Sequence, residues 1–270
     1  MDIIEPHIHM VSRTTDDYER LAFAKVVAVS EPAFWPGFDR CHVQSFLDYF
    51  RQLTEFEPNR AATYGIQHFT WMCVNAKEAE NVELSREVMT FIPEFLERPT
   101  VLGVGEIGLN KNTVNELLIF EEHVALALRL DQLILIHTPH LEDKKKGTLM
   151  ILDALKNHGA DPRRVLVDHV EEHTIRPVLD AGFWCGMTVY PVTKCSPKRA
   201  VDMLEGYGSE RIMINSAGDW GPSNPMNTHK TLIEFLARGH ARDSAVKVFH
   251  DNPCRFFGQC PKWTILPILQ

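Results

Sequence analysis

The 270-residue sequence predicts an α/β protein, a TIM-type (β/α)8 barrel, on three observations. Eight short runs rich in Val, Ile and aromatic residues recur along the chain, with polar or amphipathic stretches between them. Histidines and carboxylates gather where these runs end, which is where such a barrel builds its sites. No linker, low-complexity segment or break in composition divides the chain, so a single domain over residues 1–270 is expected.

The runs, in order, are DIIEPHI, KVVAVSE, ATYGIQHF, TVLGVGEIG, QLILIHT, RVLVDHV, FWCGMTVY and RIMINSA. Most lack the strict alternation of a half-exposed sheet, and near-continuous apolar runs suit parallel strands covered on both faces. Helices are predicted between them over residues 115–130, 146–159 and 227–240, the second ending on Gly159 as a C-cap signal. The rival architecture is a doubly wound open sheet. Its dinucleotide-binding form is disfavoured, because no GxGxxG follows the first run and Glu106 of GVGEIG stands at a strand end with no helix directly after it.

Composition sets the class. Hydrophobic residues make up 44% and charged residues 24%, the balance of a globular protein. A net charge of −8 argues against a broadly basic nucleic-acid surface, and leaves room for a nuclease with a local basic rim. No apolar run of about 20 residues is present, so no membrane span is expected. The first residues show no signal-peptide pattern, and the six cysteines are scattered without a CxxC pair. A cytoplasmic protein with reduced thiols is expected, and a cysteine-based zinc site is not.

The strand ends carry the chemistry. His7 and His9 follow the first run at a spacing that puts both imidazoles on one face of an extended chain. Glu106 ends the fourth run, His137 the fifth with His140 just beyond, Asp168 and His169 the sixth, and Asp219 follows the eighth. Taken singly, such a histidine reads as a hydrogen-bonded structural residue. Together, they point to a shared metal centre, since imidazole and carboxylate are the usual ligands of catalytic divalent ions. Trp220, Tyr190 and Lys194 flank the same ends. His123 falls within a predicted helix and reads as a surface or packing residue. The lysines of EDKKKG (142–147) read as a solvated face or as a contact for a substrate phosphate.

HxH on the first strand, GEIGLN after the fourth, IHTP on the fifth, His169 on the sixth and an Asp after the eighth resemble the TatD-like hydrolases of the amidohydrolase superfamily. NPCRFFG (252–258) is similar to that family's terminal segment, and the likeness covers nearly the whole chain. More narrowly, the chain resembles the TatD-like member of ebo biosynthetic clusters. The resemblance implies two divalent ions, with Zn, Mn, Fe, Ni and Mg all open. His7, His9 and Asp219 would hold one ion, His137 and His169 the other, and Glu106 would bridge. Asp219 and Glu106 would be the catalytic carboxylates, with Asp219 orienting the attacking water, and His140, His68 and Trp220 would meet substrate.

Three departures from the family pattern stand out. Glu5 replaces an Asp two residues before the HxH pair, GIQHF replaces a G-x-H-P segment, and Ala217 and Gly218 stand where a Glu-Thr precedes the Asp. The expected activity is hydrolysis by a metal-activated water, on a small phosphoester or phosphodiester rather than long nucleic acid. The alternatives are an amide or lactone hydrolase, and a non-catalytic metal-binding member of a biosynthetic complex.

Overall fold

A computed structural model describes residues 1–139 and 143–269. Eight parallel strands form one sheet in sequence order: β1 (Ile3–Glu5), β2 (Val26–Pro32), β3 (Gln67–Met72), β4 (Val101–Gly108), β5 (Leu133–His137), β6 (Val165–Val167), β7 (Trp184–Thr188) and β8 (Ile212–Asn215). Helices lie between successive strands, as parallel crossovers require. The seam between β8 and β1 is closed just past the strands, where the Ala217 amide donates to the His7 carbonyl and the His9 amide to the Gly218 carbonyl, both at 2.8 Å. This is the TIM-type barrel that the eight runs predict.

The period-two alternation of a strand sorts side chains between two apolar layers. In β5, Leu133 and Leu135 join the inner cluster with Ile4, Trp71, Leu102 and Met213. Ile134 and Ile136 join the outer cluster with Phe120, Val124 and Ile151 of the surrounding helices. His137 continues the inward row of Leu133 and Leu135 and so arrives at the barrel mouth. At the amino ends of the strands the inner layer is closed by Phe256 and Phe257, from the helix Asn252–Phe257, and by Trp263. Gly103 lets β4 lie tight on β5, since a Cβ there would stand 2.2 Å from the Leu133 carbonyl oxygen.

Helices occur at Val114–Arg129, Lys144–Asn157 and Asn227–Ala237, close to the predicted ranges. The first opens on a capping box between Thr113 and Glu116. One boundary differs. The third run was expected over 62–69, whereas residues up to Ala62 belong to the helix Glu57–Ala62. Gly65, at φ 72°, then turns the chain before the strand begins at Gln67. Gln67 and His68 therefore sit at the amino end of β3, not at the mouth.

All six cysteines are free. No helix among the described residues is long and apolar enough to cross a membrane.

Candidate metal centre

Glu106 lies at the middle of the mouth. Its Oε1 is 2.8 Å from His169 Nε2, 2.9 Å from His137 Nδ1 and 3.8 Å from His7 Nε2. Its Oε2 accepts from Asn75 Nδ2 at 3.2 Å. His7 Nε2 is 3.1 Å from His9 Nε2, and His169 Nε2 is 3.2 Å from His137 Nδ1. All six residues are buried. His7, Glu106 and His169 each offer a ligand atom within 4.8 Å of the others.

A second layer of side chains fixes what these nitrogens present. Asp168 Oδ2 accepts from His7 Nδ1 at 2.5 Å, so His7 turns Nε2 toward Glu106. Asp168 Oδ1 accepts from the Asn215 amide at 2.9 Å. That donor assigns Asn215 Oδ1 as the acceptor for the Thr188 hydroxyl at 2.7 Å. With its one hydrogen so used, Thr188 can only accept from His169 Nδ1, also at 2.7 Å. His169 is thus held as the Nδ1–H tautomer. Its bare Nε2 faces a carboxylate oxygen, and two lone pairs 2.8 Å apart call for a cation between them. The donor set of imidazoles and a two-oxygen carboxylate suits a first-row divalent ion.

Asp168 and His169 are neighbours, yet both side chains face the mouth. An extended pair would point to opposite sides. The backbone of His169 takes φ 60° and turns its ring back beside Asp168. Gly186 of β7 makes room, because a Cβ there would stand 2.1 Å from Asp168 Oδ1.

The electrostatics agree with this wiring. Burial alone would raise Glu106, but the charges of His137 and His7 hold it well below the usual carboxylate range. Burial also opposes ionisation of Asp168, and is outweighed by His169 and by the hydrogen bond from His7, so its pKa is lowered. Burial lowers His9, His137 and His169, aided at His9 by His7 and at His169 by Lys194. Burial pulls His7 down too, but Glu106 and Asp168 prevail and raise it. Burial lowers Lys194 to about 8, which leaves it charged at neutral pH.

The other predicted positions are spread more widely. Asp219 lines the same cleft, outside the His7–Glu106–His169 group. Its Oδ1 accepts from the Tyr190 hydroxyl at 2.7 Å and from the Gly221 amide at 2.9 Å. The Arg13 guanidinium donates to its carbonyl. Trp220 is about half exposed beside it. His68 does not reach the cleft. Phe69 and Trp71 of β3 belong to the inner layer, so His68 faces the other way and pairs with Glu31 at 2.7 Å. His140 lies outside the described residues. Of the lysine run, Lys144 is buried against Glu171 at 3.3 Å.

Glu5 points away from the cleft. It accepts from the Ser216 amide at 3.0 Å and the Thr228 hydroxyl at 2.5 Å, and burial raises it to about 7. The cleft, of about 390 Å³, is walled by Phe34, Lys77, Tyr190 and Lys194. Phe34 stacks on His9 with ring centres 3.9 Å apart.

Residues 38–258 match the family model described as TatD related DNase. The chain belongs to the TatD related DNase family. Like other TatD proteins it is a metal-dependent hydrolase, and four of the six candidate ligands fall within the matched stretch, His7 and His9 preceding it. An uncharacterized metal-dependent hydrolase of Methanocaldococcus jannaschii is 26% identical over 217 residues, 80% of this chain and 84% of that protein. The TatD-like protein of Archaeoglobus fulgidus superposes with a TM-score of 0.77 at 24% identity, over 94% of this chain and 99% of that one. A β-aspartyl dipeptidase of Fervidobacterium islandicum superposes with a TM-score of 0.67 at 14% identity, over 95% and 74% of the two chains. These two likenesses establish the fold.

Sequence reasoning paired Asp168 with His169 at a strand end but gave it no role, and passed over Asn75, Thr188 and Asn215. Thr188 and Asn215 did leave a signal, as lone polar residues at the last positions of the apolar strands β7 and β8.

Proposed function

We propose that the protein is a dinuclear metal-dependent hydrolase of small phosphoesters or phosphodiesters. His7, His9 and Asp219 would hold one divalent ion, His137 and His169 a second, and Glu106 would be shared. The observation that carries this reading is the bare Nε2 of His169 aimed at Glu106 Oε1. Bound divalent ions supply Lewis acidity and acidify water at neutral pH. Asp219, anchored by Tyr190 and Gly221, stands on the wall as an acceptor for a proton of the attacking water. Tyr190 and the buried Asp168 network keep the carboxylates and imidazoles from turning as charge develops. A cleft of about 390 Å³ suits a small molecule better than a duplex.

A second reading is a metal-binding protein without turnover, favoured by the engagement of Asp219 with Tyr190 and Gly221. Metal content settles the first point. Protein purified without chelators is expected to hold close to two equivalents, falling in His7→Ala/His9→Ala. The loaded enzyme should cleave phosphoesters in preference to lactones and N-acyl compounds. No bound metal, even after incubation with Mn²⁺ or Zn²⁺, would overturn the proposal. Full occupancy without turnover on any panel would favour the second reading.

A further inference from the structure

Half-buried and buried cations in this protein meet carboxylates or, at Arg211 and Lys262, backbone carbonyls. Arg13 meets Asp17 at 3.5 Å, Arg40 meets Glu78 at 2.6 Å and Lys144 meets Glu171 at 3.3 Å. Two cations of the cleft wall break this pattern. Lys77, just past β3, and Lys194, past β7, make no ion pair, and their ammonium groups donate no hydrogen bond among the described residues. Each is instead held over an aromatic face: Lys77 Nζ is 4.6 Å from the centre of the Trp35 ring, and Lys194 Nζ is 5.3 Å from that of Tyr190. An aromatic face steers a cation without neutralising it.

The carboxylates nearest Lys194 are already engaged. Glu106 is held by His137 and His169, Asp168 by His7 and Asn215, and Asp219 by Tyr190. A cation half-buried without an anionic partner is costly. In a chain of net charge −8, these two cations balance the two carboxylates of the cleft lining, Glu106 and Asp219, without pairing with either. Divalent ions on Glu106 and the histidines would tip that balance to a positive surplus.

We infer that Lys77 and Lys194 form an anion-binding subsite on opposing walls of the cleft, which takes an oxyanion of the substrate, a phosphate or a carboxylate. The inference rests on the cleft being the active site, and it names a recognition element separate from the metal ligands. Lys194 and Lys77 act as specificity-determining residues: they hold the acidic group while the metal-facing side chains address the bond to be broken. Phe34 and Tyr190, beneath the two ammonium groups, offer apolar walls to the portion in between.

The test is calorimetric titration with inorganic phosphate and with succinate, at low ionic strength, on the protein stripped of metal by a chelator and after metal loading. Wild type is expected to bind one of the two probes, and Lys77→Met/Lys194→Met to bind it at least tenfold more weakly. Lys194→Arg should restore most of the loss, which a merely misfolded variant would not do. The probe with the larger lysine dependence identifies the oxyanion. Equal affinity in wild type and the double variant, or no binding of either probe to wild type, would overturn the inference. Because the metal-free protein is titrated too, failure to bind metal would sink the hydrolase mechanism and still leave the subsite decided.

Discussion

The two ends of the barrel are built from opposite materials. At the carboxyl ends of the strands, His7, His9, Glu106, His137, Asp168 and His169 are all buried, and they converge on one another. At the amino ends, Phe256, Phe257 and Trp263 close the lumen with rings, and side chains cap open backbone carbonyls. Asn252 donates to the Ser209 and Ile212 carbonyls at 2.7 Å, and Lys262 to the Val101 carbonyl at 3.1 Å. Buried apolar area stabilises, whereas buried charge costs unless it is matched. Stability is thus concentrated at one end, and the other is free to hold groups that would weaken a core.

Substitutions at the two ends should therefore fail in different ways. The largest effect is expected from Glu106→Gln, which should lower hydrolysis on the order of 10³-fold or more while the protein stays folded. Steady-state rates alongside circular dichroism check it, and a melted variant would erase the contrast between the ends. Phe257→Ala should do the reverse. It is expected to cost about 3–5 kcal/mol in chemical denaturation through an unfilled cavity, with metal stoichiometry unchanged.

His123 sharpens the comparison from a third place, the layer between barrel and helices. Its Nδ1–H donates to the Ile119 carbonyl at 2.8 Å and its Nε2 accepts the Val74 amide at 3.1 Å, so the neutral ring joins its helix to the exit of β3. Burial lowers it to about 4. The unfolded chain binds this proton more readily, so the stability held here is complete above about pH 6.5 and is lost as pH falls toward 4. The loss is about 3 kcal/mol. Urea unfolding of wild type against His123→Gln, at neutral pH and at pH 4.5, should show a difference that shrinks with acid. A difference independent of pH would remove His123 from this role.

The smallest effect belongs to Asp168→Asn. An amide cannot hold the tautomers of both His7 and His169, and metal affinity is expected to fall by about 10–100-fold. Competition with a chelating dye measures it. Nitrogen-15 spectra of the histidines should show His169 losing its single tautomer, and unchanged spectra would break the proposed relay.

Much of this was legible in the chain. The eight strands could be read because strands covered on both faces must be apolar nearly throughout, and the candidate ligands because polar residues interrupt those runs at one end. The start of β3 was misjudged because ATYG is β-rich in composition, yet Gly65 uses it to finish a helix. That error carried His68 to the mouth, when strand parity turns it outward to Glu31. The part played by Asp168 was hidden in the tandem VDHV. Period-two reasoning allows only one of two neighbours to face inward, and the positive φ of His169 that admits both has no signature in residue type.

The hydrogen bonds that shut the seam run through the backbone of His7 and His9 themselves. A ribosome releases these two histidines long before it makes Gly218, the partner of His9. Through that interval the pair has its nitrogens but not its clasp. On the proposed metal centre, ion capture would wait until the first and last strands meet, and an interrupted chain that lacks β8 would be a poor scavenger of metal. Closure of the fold and readiness for chemistry become one event.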